Sequence, residues 1–428
     1  MLPPAESVQI ILPIISIILL VLTFSKPVYG AISYFIILNA KLGDMYPVLG
    51  ALRFELLAAV IVLVSILTNG KGLQNIRSQT NPLNKPLWIL GALGMLSVPQ
   101  AVDVSFSWTY GGYNLFKLLL FYIMVVASIQ TKGDFTKMIW AIVLVSAWTA
   151  YEPVVSYLKG DAGQYGYGEV ARGRFGSASG HVALANTLLQ ALPLVFCWSL
   201  ALRGKTMLRF LVWACALLLV VGVIFTKSRG GFIGFVTCAG CFVIFSRNKL
   251  RSALLAAVLL LVLLPFAGQE YIDRISTISH GISGGRSSSD RYLGLINGVS
   301  MMIKRPILGV GIGCFPRARE IYFRYFFYSH NLYGELLGEL GLASIVWFYW
   351  VYAVYRRAGF LKKRLDGEEH SMYFLLMTGI QSSMLVRMVL GNFSHSAFIW
   401  FWFMMAALVV GVENINRESL LSEQPVKG

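Results

Sequence analysis

Apolar runs of about 17 to 25 residues, the length a helix rising 1.5 Å per residue needs to cross roughly 30 Å of hydrocarbon, recur along this chain from end to end. The pattern predicts membrane-spanning helices near residues 7–24, 27–41, 51–68, 86–101, 115–130, 137–158, 180–201, 208–226, 230–246, 250–268, 330–355, 372–391 and 396–412. The second run is short enough to be re-entrant, which makes the count twelve or thirteen. Ten-residue segments of alternating polarity, the mark of an outer-membrane barrel, are absent. The expected fold is therefore all-α, a polytopic transmembrane helical bundle. The first run, Ser7 to Phe24, has no basic residue before it and no small-x-small cleavage site after it, and reads as a retained helix.

One extended polar region interrupts the pattern, from Gln269 to Ser329. Its centre, SGGRSSSDR, is too rich in Gly and Ser for a helix interior. Beyond it, Arg291 to Lys304 predicts an amphipathic helix stopped by Pro306, with Tyr292, Leu293, Leu295, Ile296, Val299, Met302 and Ile303 supplying an apolar face suited to lie along the membrane interface. Arg317, Arg319 and Arg324 then follow among aromatic residues, a mixture that fits the headgroup layer. No internal repeat is visible.

Composition agrees with this picture: 57% of residues are hydrophobic and 13% charged. The formal charge of +16 would raise the question of nucleic acid in a soluble protein. Here most Lys and Arg fall in short loops: Lys71, Arg77 and Lys85; Lys132 and Lys137; Arg203, Lys205 and Arg209; Arg247, Lys249 and Arg251; and Arg356 to Arg364. These clusters occupy every second loop. The positive-inside rule makes them cytoplasmic and puts the Ser228–Arg229 turn, residues 159–180 and the long loop 269–329 on the opposite face. The cysteines lie mostly inside apolar runs, and the Cys238/Cys241 pair has no second pair or histidine near it in sequence, so no metal or redox centre is expected.

Candidate chemistry gathers on that opposite face. An ionised side chain at membrane depth is costly, so an Arg between two apolar runs invites explanation. Arg229 stands in FTKSRGGFIGF beside Lys227, with Gly230 and Gly231 permitting close backbone approach. A turn whose cations snorkel to headgroups and a guanidinium clamp for phosphate oxygens both fit these residues. His330 opens the span after the long loop, followed by Asn331, Glu335 and Glu339; such a histidine can anchor the helix or act as a general base near neutral pH. Asn331, Gly334, Gly338 and Gly341 fall on one narrow face open to a helix or a lipid tail. Arg291 heads the amphipathic helix beside Asp290, and Arg172 and Arg174 precede the span that starts near His181. GVGIG has no preceding strand and no following Lys-Ser/Thr, which excludes a nucleotide loop. Glu55 and Arg387 sit deeper, where a polar pair inside the bundle accounts for each. A polysaccharide or lipid transporter is the non-enzyme alternative; it would place charges near the midplane and often carry an inverted repeat, whereas here most charges cluster at one surface and no repeat is visible.

Three local patterns then stand in order: Ser228-Arg229-Gly230 at a helix boundary; Arg291 before the amphipathic helix and the P-x-x-G-x-G of Pro306, Gly309 and Gly311; and His330-Asn331 followed by Gly341-Leu342-Ala343-Ser344. From about Arg172 to Ser344 the chain resembles the O-antigen ligase and polymerase superfamily, bacterial membrane glycosyltransferases, with Ser344 replacing the last Gly of a G-x-x-G. The resemblance divides the chain into amino-terminal transmembrane helices, 1–171, and a ligase-like region, 172–428. It implies an inner-membrane enzyme whose site faces the periplasm and whose donor is a glycan on undecaprenyl diphosphate. The implied acceptor is a hydroxyl, foremost on lipid A-core and otherwise on another glycan or a protein. Arg229 and Arg291 would bind the diphosphate, with Lys227, Arg174 and Asn331 as further substrate contacts, and His330 would be the base. Transfer would be inverting and would need neither metal nor cofactor. Ligase stands ahead of O-antigen or exopolysaccharide polymerase and of protein O-oligosaccharyltransferase.

Overall fold

In lipid a backbone amide finds no water, so each apolar run must close its hydrogen bonds within itself as a helix. The computed structural model of the chain describes residues 4–68, 81–160, 171, 180–245, 249–251, 253–254, 286–365, 371–417 and 420, with backbone alone for 4–10 and 286–289. All regular elements among these residues are helical. In chain order they are α1 (Pro4–Leu22), α2 (Pro27–Ala40), two short helices (Leu42–Met45 and Pro47–Ala51), α3 (Phe54–Thr68), α4 (Asn84–Ser97), α5 (Val104–Ser128), α6 (Lys132–Leu158), α7 (His181–Ala201), α8 (Thr206–Phe225) and α9 (Arg229–Phe245). There follow α10 (Arg286–Lys304), α11 (Phe315–Phe323), α12 (Leu332–Leu340), α13 (Ser344–Arg364), α14 (Ser371–Leu390) and α15 (Trp400–Ile415).

Among the described residues, six stretches are long and apolar enough to cross a bilayer: α5, α6, α7, α8, α12 continued through α13, and α14 with its last turn. Shorter apolar helices complete the bundle. The predicted runs correspond to these helices except 250–268, which lies almost wholly outside the described residues, as does 269–285 of the polar region. Three boundaries differ from expectation: the run predicted from 137 starts at Lys132, and the one predicted to end at 355 continues to Arg364. The run predicted from 115 begins at Val104, because Asp103 caps it by accepting from the Phe106 amide (3.0 Å) and a π-turn at Trp108–Gly112 carries the helix through two glycines.

Helix α7 is the axle of the bundle, packed by α6, α8, α9 and α14. Its most apolar window is 83% buried, so it faces protein and not lipid, and polar residues on it are interior. Helix α15 is buried from Trp400 to Val412 and packs on α5. Two of the basic clusters meet at one end of the bundle: Lys132 lies over Tyr373, Lys362 over Phe245 and Phe374, and Arg357 donates to Glu413 (2.8 Å).

The opposite end is shaped by residues 286–343. The predicted amphipathic helix is present as α10, and Tyr292, Leu293, Ile296 and Ile303 are exposed along it. It does more than lie at an interface, however, for its other face crosses α12 at backbone contact. A Cβ at Gly298 would stand 2.1 Å from the Gly334 carbonyl oxygen, so both crossing positions must stay bare. The narrow glycine face of α12 is therefore occupied by α10. The turn after α10 closes the same block: Val310 and Gly311 amides donate to Gly338 and Glu339 carbonyls (2.9 and 3.1 Å), and Leu342 donates to Pro306 (2.7 Å). The buried Glu339 carboxylate accepts from the Gly313 and Phe315 amides (2.8 and 3.2 Å). The glycines of GVGIG thus serve a backbone latch. Ser344 is accommodated by donating its hydroxyl to the Gly341 carbonyl (2.6 Å).

Candidate functional site

The latch fixes where α10 and α12 begin, and with them two of the predicted residues. Arg291 lies one turn into α10, and His330 immediately precedes Asn331, the N-cap of α12, whose side chain accepts from the Gly334 amide (3.0 Å). His330 holds φ +48, a left-handed conformation that costs energy in a residue with a Cβ and that the cap and the neighbouring rings must enforce. The loop before it is tied to buried Arg319, which donates to the Tyr328 carbonyl (3.1 Å) and lies over Tyr325 and Phe327. With the Asn297 amide turned so that its oxygen faces the donors, that oxygen accepts from Arg319 Nε (2.9 Å) and Nη2 (3.2 Å), linking the loop to α10. Arg319 is thus a structural pin for the His330 loop.

A cavity of about 1280 Å³ opens beside these residues. Arg291, Asp290, Phe327 and His330 form one side, α7 residues with Arg387 another, and residues 38–56 and 109–118 of the amino-terminal helices the side opposite. The Arg291 guanidinium lies 5.2 Å from the centre of the Phe393 ring, and the same ring packs on Gly230, the second residue of α9. Burial, then the nearby Arg229 charge, lowers the Arg291 pKa to about 10 against the opposing effect of Asp290. Arg229, at the start of α9, acts on the site through its charge on Arg291. A pair of cations held together with one carboxylate beside them is a place where an anion is favoured.

The imidazole of His330 is pushed below its ordinary pKa by burial and then by Arg291, with Asp290 acting against them and Arg319 a lesser contributor. Its neutral form, the one able to take a proton, is thereby favoured near neutrality. A second histidine stands beside it. The His395 ring meets His330 edge-on at 5.1 Å and stacks on Tyr328 at 4.9 Å. Burial, then the His330 and Arg387 charges, lower the His395 pKa, and the residue lines the cavity.

Among the expected residues, Arg291 and His330 line the cavity, Arg229 couples to it electrostatically, and Asn331 is turned into the α12 cap. Lys227 is buried with φ +45, so it does not reach outward as a snorkelling lysine would. Arg174 lies outside the described residues. The sequence reading passed over Phe393 and His395 as a short turn between spans; the aromatic-histidine spacing from Phe393 to Phe398 was the available signal. It also missed Asn186 and Gln190, whose four-residue spacing inside an apolar run was legible. Glu55 is paired with Lys117 of α5 at 3.0 Å, a bridge between helices on the cavity wall.

Residues 213–349 match the family described as O-antigen ligase, and over that stretch the match agrees with the resemblance read from the motifs. The match takes in Arg229, Arg291, His330 and the latch. No curated protein matches the chain.

Proposed function

Proceeding from that match, we propose that this protein is a membrane glycosyltransferase of the O-antigen ligase type that moves a glycan from undecaprenyl diphosphate to an acceptor hydroxyl, foremost on lipid A-core, at the periplasmic face of the inner membrane. One observation carries the reading: Arg291 and His330 share a large cavity at the end of the bundle away from the basic loops, with the Arg229 charge coupled to Arg291. In this reading the two guanidiniums grip the diphosphate and stabilise the charge that grows on it as the glycosidic bond breaks. His330 takes the proton from the acceptor hydroxyl as its oxygen attacks the anomeric carbon, and undecaprenyl diphosphate leaves from the opposite side with the bonding electrons. A single displacement of this kind inverts the anomeric centre. His395 backs His330, and its neutral ring avoids a third positive charge at the base. Lys227 and Arg174 remain further candidates for holding the donor, while Asn331 serves through the cap that positions His330.

The test is deletion of the gene followed by analysis of the cell's lipopolysaccharide, complemented with wild type and with Arg291→Ala. Core devoid of O-antigen that only the wild type restores is the expected result. Core carrying single repeats would identify a polymerase instead, and an unchanged profile would remove lipid A-core as acceptor.

A further inference from the structure

Two amides stand on the floor of the cavity where leucine would be the simple choice. Asn186 and Gln190 lie four residues apart on α7, on one face, about 7 and about 13 Å in from the helix start at the helical rise. Their neighbours Leu184, Leu188, Leu189 and Leu192 are buried leucines. Asn186 is 1% exposed and Gln190 2%, yet among the described residues both polar atoms of the Asn186 amide and Oε1 of Gln190 have no hydrogen-bond partner. Native proteins rarely bury an amide unsatisfied, and where one lines a cavity the partner is to be sought in what the cavity holds.

We infer that Asn186 and Gln190 form a saccharide subsite that hydrogen-bonds hydroxyl groups of the sugar joined to the lipid diphosphate. The inference rests on the donor class proposed above. The chemistry of the orphaned atoms selects the ligand. Amide oxygens accept only, so they need an O–H or N–H; an ionised diphosphate offers acceptors alone and a prenyl tail offers neither. A sugar hydroxyl both donates and accepts, which satisfies the oxygen and the NH2 of one amide together. Placement agrees. Helix α7 packs on α9 through Ala185 and Leu189 against Gly231 and Gly234, so the amides stand inward of the helix that opens with Arg229. Neutral groups at this depth read a sugar without adding to the charge of Arg229 and Arg291.

The experiment measures binding of two lipids, undecaprenyl diphosphate and the same lipid bearing N-acetylglucosamine on its diphosphate, to the full chain in nanodiscs. Wild type is expected to bind the glycosylated lipid at least about tenfold more tightly, as for a site whose buried polar groups are otherwise left unpaired. The Asn186→Leu/Gln190→Met double variant is expected to bind both lipids with the affinity wild type has for the bare one. Its thermal midpoint should equal or exceed wild type, because the swap removes the orphaned groups with little change of volume. Equal wild-type affinity for the two lipids would overturn the subsite, leaving water as the occupant, while the donor reading stands. Binding of neither lipid would bring down the donor reading and the subsite with it.

Discussion

At the scale of residues, function here sets itself against stability. Arg291 is buried beside a second cation, and desolvation and the Arg229 charge both work against its ionised form, an arrangement that pure packing would not select. Arg291→Ala is accordingly expected to cut transfer at least about 100-fold, the scale of losing a positioned charge donor, while leaving the substrate-free thermal midpoint unchanged or raised. A variant that loses midpoint and activity in step would mark Arg291 as structural. Arg229→Lys keeps the charge but not the fork, so transfer should fall by about tenfold or more; retention of full activity would show that charge alone suffices. The histidine pair makes a statement about pH. Because its environment lowers the His330 pKa, the neutral base persists to lower pH than in a free imidazole and is lost only as pH falls through that depressed value. The acid limb of the transfer rate should therefore have its midpoint below about 6.5, the ordinary histidine value. A midpoint at or above that value in a pH–rate profile would contradict the role given to His330.

At the scale of elements, the motif glycines and Glu339 act as a latch, and the chemistry depends on it at one remove. Helices α10 and α12 can bring Arg291 and His330 together only because Gly298 and Gly334 let their backbones touch. Gly298→Ala would drive a methyl into the Gly334 carbonyl, and overpacking of this kind costs about 1 to 3 kcal/mol. The expected result is a lower thermal midpoint with transfer lost in the surviving protein, whereas Ala at Gly240, which meets nothing within 4 Å, should do neither. Sequence reading placed these helices well, since hydrophobic length is the property that lipid itself selects. It could not tell that the apolar-faced α10 has a second, glycine face, because a bare position announces permission for contact without naming the partner. The spacing of the Phe393 and His395 turn was visible, but its role was not, for a related reason: that role comes from standing over α9 and beside α12, far away in sequence.

At the scale of the whole molecule, the two ends of the bundle differ in kind. One collects Lys132, Lys362 and the Arg357–Glu413 pair; the other collects the cavity. Single cysteines placed at Lys41, Tyr110 and Ser394, which line the cavity, should react with a membrane-impermeant maleimide added from one side. Cysteines at Gly204 and Arg364 should react only from the other side. Labelling of Ser394Cys and Gly204Cys from the same face would dismantle the topology on which the site depends.

The sequence by itself determined that this chain forms a helical membrane bundle, where its spans run, and that arginines and a histidine occur at span boundaries of one parity. Those properties are local or additive: hydrophobic length, the price of burying charge, and the count of basic residues per loop. Only the tertiary structure decided that Arg291 and His330 share a cavity, that His395 stands against the base, that Lys227 is buried, and that two amides of α7 keep polar atoms without a partner among the described residues. These are matters of which distant segments pack together, and in a bundle of similarly apolar helices the partners are chosen by close-packed shape, to which hydropathy is blind.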